Sequence, residues 1–194
     1  TKEPFFPYDV SKPIERIDDV NQNNVTTNEI GKSEEYTYKV YHYVPSATNL
    51  WYYSSYSINA PIPEAVEYKD AKVYEVSLDS NGQEKLTDVT DEFILLNIDN
   101  NISAIAKQNN NTTTGISNSI SPDSGFYSKI YLMKINVTEK DYNTKSNSSE
   151  ESENNLTKTY LVNHKSNVGA AIVDSSTRLS QDTNQVSTNY KEIK

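Results

Sequence analysis

The segment Glu35–Val44 constrains the fold most, because apolar and aromatic side chains recur at every second position. Successive side chains of a β-strand point to opposite faces of the sheet. A strand here would carry five such residues on one face: Tyr36, Tyr38, Val40, His42 and Val44. The segment therefore predicts a strand with one face in the core, and Pro45 marks its end.

Similar segments recur along the whole chain and predict an all-β fold, in the form of a β-sandwich. Tyr and Thr, which favour strands, are abundant; Asn and Ser supply turns, and long stripes with helical spacing are missing. A hairpin turn is predicted at 79–82, and long loop insertions at 107–125 and 139–155. The other predicted strands are Lys12–Ile17, Val25–Ile30, Trp51–Ile58, Ala71–Leu78, Phe126–Val137, Thr159–Val162, Val168–Val173 and Val186–Tyr190.

Chain length and the first residues predict one domain with a short lead-in. A chain of 194 residues favours one large β domain and is long enough to bury a core without a metal or disulfide. Pro4 and Pro7 indicate an extended linker. We therefore expect a linker at 1–11 and a single domain at 12–194.

Composition excludes several classes of function. The chain has no cysteine, which excludes disulfides, thiolate zinc sites and cysteine nucleophiles. Its net charge of −9 argues against nucleic acid, which needs clustered Lys and Arg. No stretch approaches the roughly 20 apolar residues of a membrane helix, so we expect no membrane insertion by this segment.

The order of these segments resembles an isopeptide-forming domain of Gram-positive cell-surface adhesins: fimbrial, similar to antigen I/II stalk domains and, more distantly, to Cna-type domains. The resemblance implies an elongated immunoglobulin-like sandwich, carried in series with neighbouring domains of a wall-anchored, extracellular adhesin or pilus. The matching pieces are Lys12–Ile17, Gly31 with Tyr36–Val40, Ser57–Pro63, Ala71–Tyr74, Asp88–Phe93, Tyr131–Ile135 and Thr183–Val186.

Many members of that family join a first-strand lysine to a last-strand asparagine, with the help of a buried acid. A buried lysine loses its proton and becomes a nucleophile, and a protonated carboxyl stabilises the charge that develops on the amide. Asn184 matches the terminal asparagine. Glu15 and Ala60 stand where the family places its lysine and its acid. The candidates that remain for the cross-link are Lys12 with Asn184, and Asp88 or Asp91 as the acid.

The sequence contains no recognisable set of catalytic residues for enzymatic turnover. We find no nucleophile elbow, no phosphate-binding glycine loop and no zinc-protease motif. His42 and His164 are interpreted as ordinary strand or surface residues. The sequence therefore predicts no enzyme, no catalytic residue, no cofactor and no metal site.

A structural stalk or spacer module is the function that the sequence favours. The alternative is a ligand-binding adhesin module that contacts a host protein or glycan through exposed aromatics and loops. For that role the candidates are Trp51, Tyr53 and Tyr56, because aromatic side chains with polar tips suit interfaces. Half of the side chains in such a strand must face the core, so packing competes with binding as the explanation for these rings.

Overall fold

The computed structural model describes residues 12–18, 23–31, 34–140, 150–153 and 157–193, and it confirms the all-β prediction. The linker predicted at 1–11 lies outside the described residues. Besides two short 3₁₀ turns at Thr90–Glu92 and Pro122–Ser124, all the regular structure of these described residues is strand. The strands are β1 Ile14–Asp18, β2 Asn24–Val25, β3 Thr27–Gly31, β4 Glu35–Val44, β5 Tyr53–Pro61, β6 Val66–Leu78, β7 Glu84–Asp88, β8 Phe93–Ile98, β9 Asn101–Ala106, β10 Lys129–Glu139, β11 Glu150–Glu153, β12 Thr157–His164, β13 Asn167–Ile172, β14 Arg178–Asp182 and β15 Val186–Ile193.

These strands form three sheets. A six-stranded sheet has the order β2-β1-β4-β10-β6-β7, a four-stranded sheet the order β11-β12-β15-β3, and a five-stranded sheet the order β14-β13-β5-β9-β8. All neighbouring strands are antiparallel except β15 and β3, which are parallel. The last strand, β15, therefore lies beside β3 in the four-stranded sheet, whereas the first strand, β1, belongs to the six-stranded sheet.

The sandwich has the six-stranded sheet as one layer and the other two sheets side by side as the second. Tyr36 of β4 contacts Tyr190 of the four-stranded sheet at 6.1 Å between ring centroids. Further along β4, His42 stacks on Tyr56 of the five-stranded sheet at 5.8 Å. One strand thus spans both halves of the opposite layer, and a single apolar cluster runs through both halves.

The strand β4 occupies the predicted residues and turns the predicted face inward. Tyr36, Tyr38, Val40, His42 and Val44 are all buried. This burial fixes the register of β4 against its neighbours, because a slip by one residue would move all five side chains to the opposite face of the sheet.

The predicted turn and first loop are found in the structure, whereas the strands β11 and β14 were not expected. The turn at 79–82 is confirmed, with the amide of Gly82 bonded to the carbonyl of Asp79 and Gly82 at φ 76°. The segment 107–125 is the predicted loop, apart from one 3₁₀ turn. Most of 139–155 lies outside the described residues, but Glu150–Glu153 is a strand. β14 was not predicted, because its five exposed residues include only one large apolar side chain.

Candidate functional site

The first and last strands meet at a cluster of polar side chains that we call the terminal junction: Glu15 of β1, His164 at the end of β12, and Thr183 and Asn184 just before β15. Glu15 and His164 are almost completely buried, with side-chain exposures of 0% and 1%. Glu15 lies two residues before the buried Ile17 on β1 and therefore shares its inward face. The elements therefore bring a carboxyl group and an imidazole into an interior with little water.

Both oxygens of the Glu15 carboxyl group have partners. Oε2 bonds to Nδ1 of His164, and Oε1 lies 3.3 Å from the hydroxyl of Thr183. The Thr183 hydroxyl is 2.9 Å from the carbonyl of Asn184 and accepts the amide of Ser166 at 2.9 Å. Burying a polar group is costly unless it is hydrogen-bonded, and Thr183, with one hydroxyl proton, donates either to Glu15 or to Asn184 at any one time.

The bonds of His164 fix its tautomer. Nε2 lies 2.6 Å from the carbonyl oxygen of Pro61, and because a carbonyl only accepts, Nε2 must carry a proton. A single further proton then lies between Nδ1 of His164 and Oε2 of Glu15. The pair is therefore either imidazolium with carboxylate or neutral imidazole with carboxylic acid, and both forms keep the hydrogen bond.

Asn184 binds the backbone of Glu15 as a neighbouring strand would. The amide of Glu15 donates to Oδ1 of Asn184 at 2.9 Å, and Nδ2 of Asn184 donates to the carbonyl of Glu15 at 3.1 Å. One side chain thus fills both backbone groups of a first-strand residue. The bond joins β1 to the segment that leads into β15, across 169 positions of sequence.

Tyrosine rings surround the junction on the side of the core. His164 stacks on Tyr38 with 3.9 Å between ring centroids. The hydroxyl of Tyr36 bonds to the hydroxyls of both Tyr38 and Tyr190. Burial raises the pKa of Tyr38 well above its usual range, and the nearby hydroxyl of Tyr36 and charge of Glu15 act in the same direction.

The cross-link candidates are placed as follows. Lys12 is exposed, whereas the chemistry requires a buried lysine. Asp88 and Asp91 are exposed as well, whereas the chemistry requires a buried acid. Hydrogen bonds from Thr90 lower the pKa of Asp88, which keeps it ionised. The buried acid of this region is Glu15, and of the four candidates only Asn184 belongs to the junction.

The three aromatic candidates line one pocket, which we call the aromatic pocket. It has a volume of about 220 Å³ and lies between β4, β5, β13 and β14. Trp51 and Tyr53 are 5.4 Å apart between ring centroids, and Tyr53 stacks on Tyr56 at 5.9 Å. Tyr53 and Tyr56 are buried, and Trp51 is half-buried. The rings therefore serve both the core and the pocket wall.

A buried histidine also borders the aromatic pocket. Nδ1 of His42 lies 2.8 Å from the hydroxyl of Tyr56. Burial raises the pKa of Tyr56 well above its usual range, with smaller contributions in the same direction from Tyr53 and Tyr131. Both histidines lie in strands, His42 in β4 and His164 at the end of β12, and both are buried: 6% of His42 and 3% of His164 are accessible.

Sequence reasoning missed the pair Glu15–His164, although one signal for it was present. Glu15 stands at the position where the family resemblance expects a buried lysine, and it shares the inward face of β1 with Ile17. A charged residue at a core position requires a partner. The identity of that partner is beyond the local sequence, because His164 lies 149 positions away.

Two classes of site are not found among the described residues. No group of three or more His, Asp or Glu side chains in that part of the chain has the arrangement needed to hold a metal ion. No helix of the described residues is long and apolar enough to cross a membrane.

Comparison with known proteins shows the fold. No protein-family model and no curated protein matches the chain. Among solved structures it is similar to BcpA, the major pilin subunit of Bacillus cereus, with a TM-score of 0.60, 10% identity, and coverage of 92% of this chain and 39% of that one. The C-terminal domain of the antigen I/II polypeptide BspA of Streptococcus agalactiae gives a TM-score of 0.55, 12% identity, and coverage of 92% and 49%.

A third similar structure is the N-terminal domain of the Streptococcus gordonii adhesin Sgo0707, with a TM-score of 0.55, 15% identity, and coverage of 92% of this chain and 32% of that one. The chain therefore has the fold of Gram-positive pilin and adhesin domains. It spans about half or less of the length of each of these structures.

Proposed function

We propose that this chain is a structural stalk or spacer module of a cell-surface adhesin or pilus, located outside the cell and without enzymatic turnover. The observation that carries the proposal is the terminal junction, which ties the first strand to the segment before the last one. A module carried in series with neighbouring domains is pulled at its two ends. A direct connection between those ends is the feature that such a role requires.

The geometry of β3 and β15 favours mechanical resistance. The two strands are parallel and pair from Thr27–Gly31 to Ser187–Lys191. Pulling β3 toward its amino end and β15 toward its carboxyl end moves them in opposite directions along a shared axis. All the hydrogen bonds between them must then fail together, which requires more force than opening them one by one.

The terminal junction takes the place of a covalent cross-link in this proposal. Glu15 replaces the reactive lysine, and Asn184 uses its amide for two hydrogen bonds to the Glu15 backbone. The intact protein should therefore have the mass calculated from its sequence. A mass lower by about 17 Da, the loss of one ammonia, would instead support the predicted bond between Lys12 and Asn184.

Single-molecule stretching of the chain in tandem tests the stalk role. Asn184→Ala removes both bonds to the Glu15 backbone, so unfolding should occur at a clearly lower force than in the parent chain. Asn59→Ala is the matched control: it also removes amide bonds, to Ser103 and Asn167, but these join strands away from the chain ends. Forced unfolding follows the unfolding rate, so equal unfolding forces for the parent and Asn184→Ala would contradict the proposal.

The proposed module covers residues 12–194, with residues 1–11 as a linker. The chain without 1–11 should then keep its cooperative unfolding and its melting temperature within about 2 °C. A larger decrease would mean that the first eleven residues belong to the folded module.

A second candidate function is binding of a host protein or glycan at the aromatic pocket. The observation that favours it is that Trp51, Tyr53 and Tyr56 line one opening, together with Leu179 of the exposed strand β14. The volume of about 220 Å³ is smaller than the roughly 300–1,000 Å³ of small-molecule sites, so one side chain or one sugar ring would fill it.

Tryptophan emission gives a direct test of this second function, because Trp51 is the only tryptophan of the chain. Titration with host-matrix proteins and with a set of glycans should shift the emission of Trp51 for the class that binds. Trp51→Ala should abolish binding in a pull-down, and Leu50→Ala, which changes a fully exposed neighbour, should leave it intact. No binding by either class would reject the candidate.

A further inference from the structure

The outer edge of β8 carries a row of exposed apolar side chains. Ile94, Leu96 and Ile98 alternate along the strand and therefore share one face, and their exposures are 47%, 39% and 62%. β8 is the last strand of the five-stranded sheet and pairs only with β9 among the described strands. Alternate residues of such a strand direct their backbone N–H and C=O groups away from the sheet.

This edge lacks the features by which most proteins protect an open edge. Natural edge strands carry charged residues, proline or a bulge, which prevent another strand from pairing with them. Residues 93–98 contain no charge and no proline, and the register with β9 is continuous from Phe93 to Ile98. The opposite edge of the same sheet, β14, has an arginine and an aspartate at its two ends.

The charges at the two ends of β8 select the kind of partner. Asp91 and Glu92 precede the strand and Asp99 follows it, and all three are exposed. Between residues 91 and 107 the sequence has one Lys or Arg, namely Lys107. Its backbone amide donates to the carbonyl of Glu92. A strand added to this edge would therefore meet acidic residues at both ends.

A second copy of the chain fits this edge poorly. Antiparallel pairing of two β8 strands would place Asp91 and Glu92 of one copy opposite Asp99 of the other. Parallel pairing would place each acidic residue beside its own equivalent. Like charges directly opposite each other on neighbouring strands are destabilising, and the net charge of −9 adds a general repulsion between copies.

We propose that β8 is a docking edge for an extended segment of another protein, which adds as a strand, packs alternating apolar side chains on Ile94, Leu96 and Ile98, and carries lysine or arginine at its two ends. Backbone bonds to the free edge supply affinity, and the apolar row and the acidic ends supply selectivity. This inference goes beyond the stalk role and does not depend on it.

A synthetic peptide with alternating valine and threonine between pairs of lysines is the probe. The full chain should bind it, and hydrogen exchange should slow at alternate amides of Phe93–Ile98. Leu96→Lys should weaken binding about tenfold or more, because one apolar contact is lost and a like charge faces the peptide. Leu78→Lys, at an exposed leucine of the other layer, should leave affinity unchanged.

Four results would overturn the proposal. One is the absence of binding at millimolar peptide, and another is equal affinity for a peptide with glutamates at its ends. The third is equal weakening by Leu78→Lys and Leu96→Lys. The fourth is self-association of the chain that Leu96→Lys abolishes, which would make a second copy the occupant. Support further requires that added salt weakens binding, since exposed charges are screened.

Discussion

The terminal junction and the aromatic pocket each contain a buried histidine, and they use it differently. At the junction, His164 stacks on Tyr38 and bonds through both ring nitrogens, to a buried carboxyl and to a backbone carbonyl. At the pocket, His42 stacks on Tyr56 and bonds to a tyrosine hydroxyl. The terminal junction thus buries the carboxyl group of Glu15 with the imidazole of His164, whereas the aromatic pocket depends on contacts between aromatic rings.

The difference shows how the two halves of the second layer are held to the first. Between the six-stranded and five-stranded sheets, packing of large rings such as Phe93 on Tyr131, at 5.5 Å between centroids, provides contact area without strict direction. Where β1 meets the segment before β15, bonds to Glu15 hold the two in position. Removing one partner of a buried pair of this kind is strongly destabilising, because the other is left uncompensated.

Raising the pH should have the largest effect, and it acts on both regions. Burial raises the pKa of Tyr36 and Tyr38 near the junction, and of Tyr56 and Tyr127 near the pocket. The unfolded chain ionises its tyrosines near pH 10, so their stabilising contribution is complete below that pH and is lost as the pH rises toward the folded-state values. The free energy of unfolding should fall by up to about 1.4 kcal/mol per pH unit for each buried tyrosine.

Urea unfolding at pH 8, 10 and 11, with tyrosinate absorbance recorded in parallel, measures this effect. Absorbance of the buried tyrosines should rise together with loss of the fold. Ionisation of most tyrosines in a chain that is still folded would contradict the burial described here.

Removing the buried acid should have the next largest effect, and only at the junction. Glu15→Ala leaves Nδ1 of His164 without its partner in a dry interior, which should lower the free energy of unfolding by about 3–5 kcal/mol. Denaturant melts of the variant and of Glu64→Ala, an exposed glutamate, provide the comparison. A loss below about 1 kcal/mol would mean that water reaches the junction and screens the pair.

Removing one hydroxyl at the pocket should have the smallest effect. Tyr56→Phe keeps the ring stack and deletes the bond to Nδ1 of His42, so we expect a loss of about 1–2 kcal/mol by the same melts. Trp51 emission should stay nearly unchanged, because Tyr53, the ring that contacts Trp51, is not altered. An effect as large as that of Glu15→Ala would remove the distinction between the two regions.

The sequence predicted the parts of the fold that local pattern controls. The alternation of Glu35–Val44 identified β4 with its bounds and its buried face, and Asp79–Gly82 identified a turn. β14 lacked such a signal, because an exposed edge strand has no apolar face to reveal it. The division of the second layer into two sheets also has no local signature, since it depends on which distant strands pair.

The candidate site was predicted only in part, for a related reason. Asn184 bonds to the backbone of the first strand, and the family resemblance had directed attention to this residue through a long-range pairing that pattern alone does not contain. The same resemblance directed attention to Lys12 and to exposed aspartates, and away from Glu15. A departure from a family pattern at a core position is thus itself a signal, because the substituted group still needs a partner when it is buried.

The measurement that tests the central claim most directly is a double-mutant cycle across the buried pair, with Glu15→Leu, His164→Leu and the double variant compared in denaturant melts. Each single change leaves one buried polar partner unsatisfied, whereas the double change removes both. The account predicts that the double variant is more stable than at least one single variant, with a coupling energy of about 2 kcal/mol or more. Additive losses within about 0.5 kcal/mol would show that Glu15 and His164 do not act as a pair, and would contradict the account.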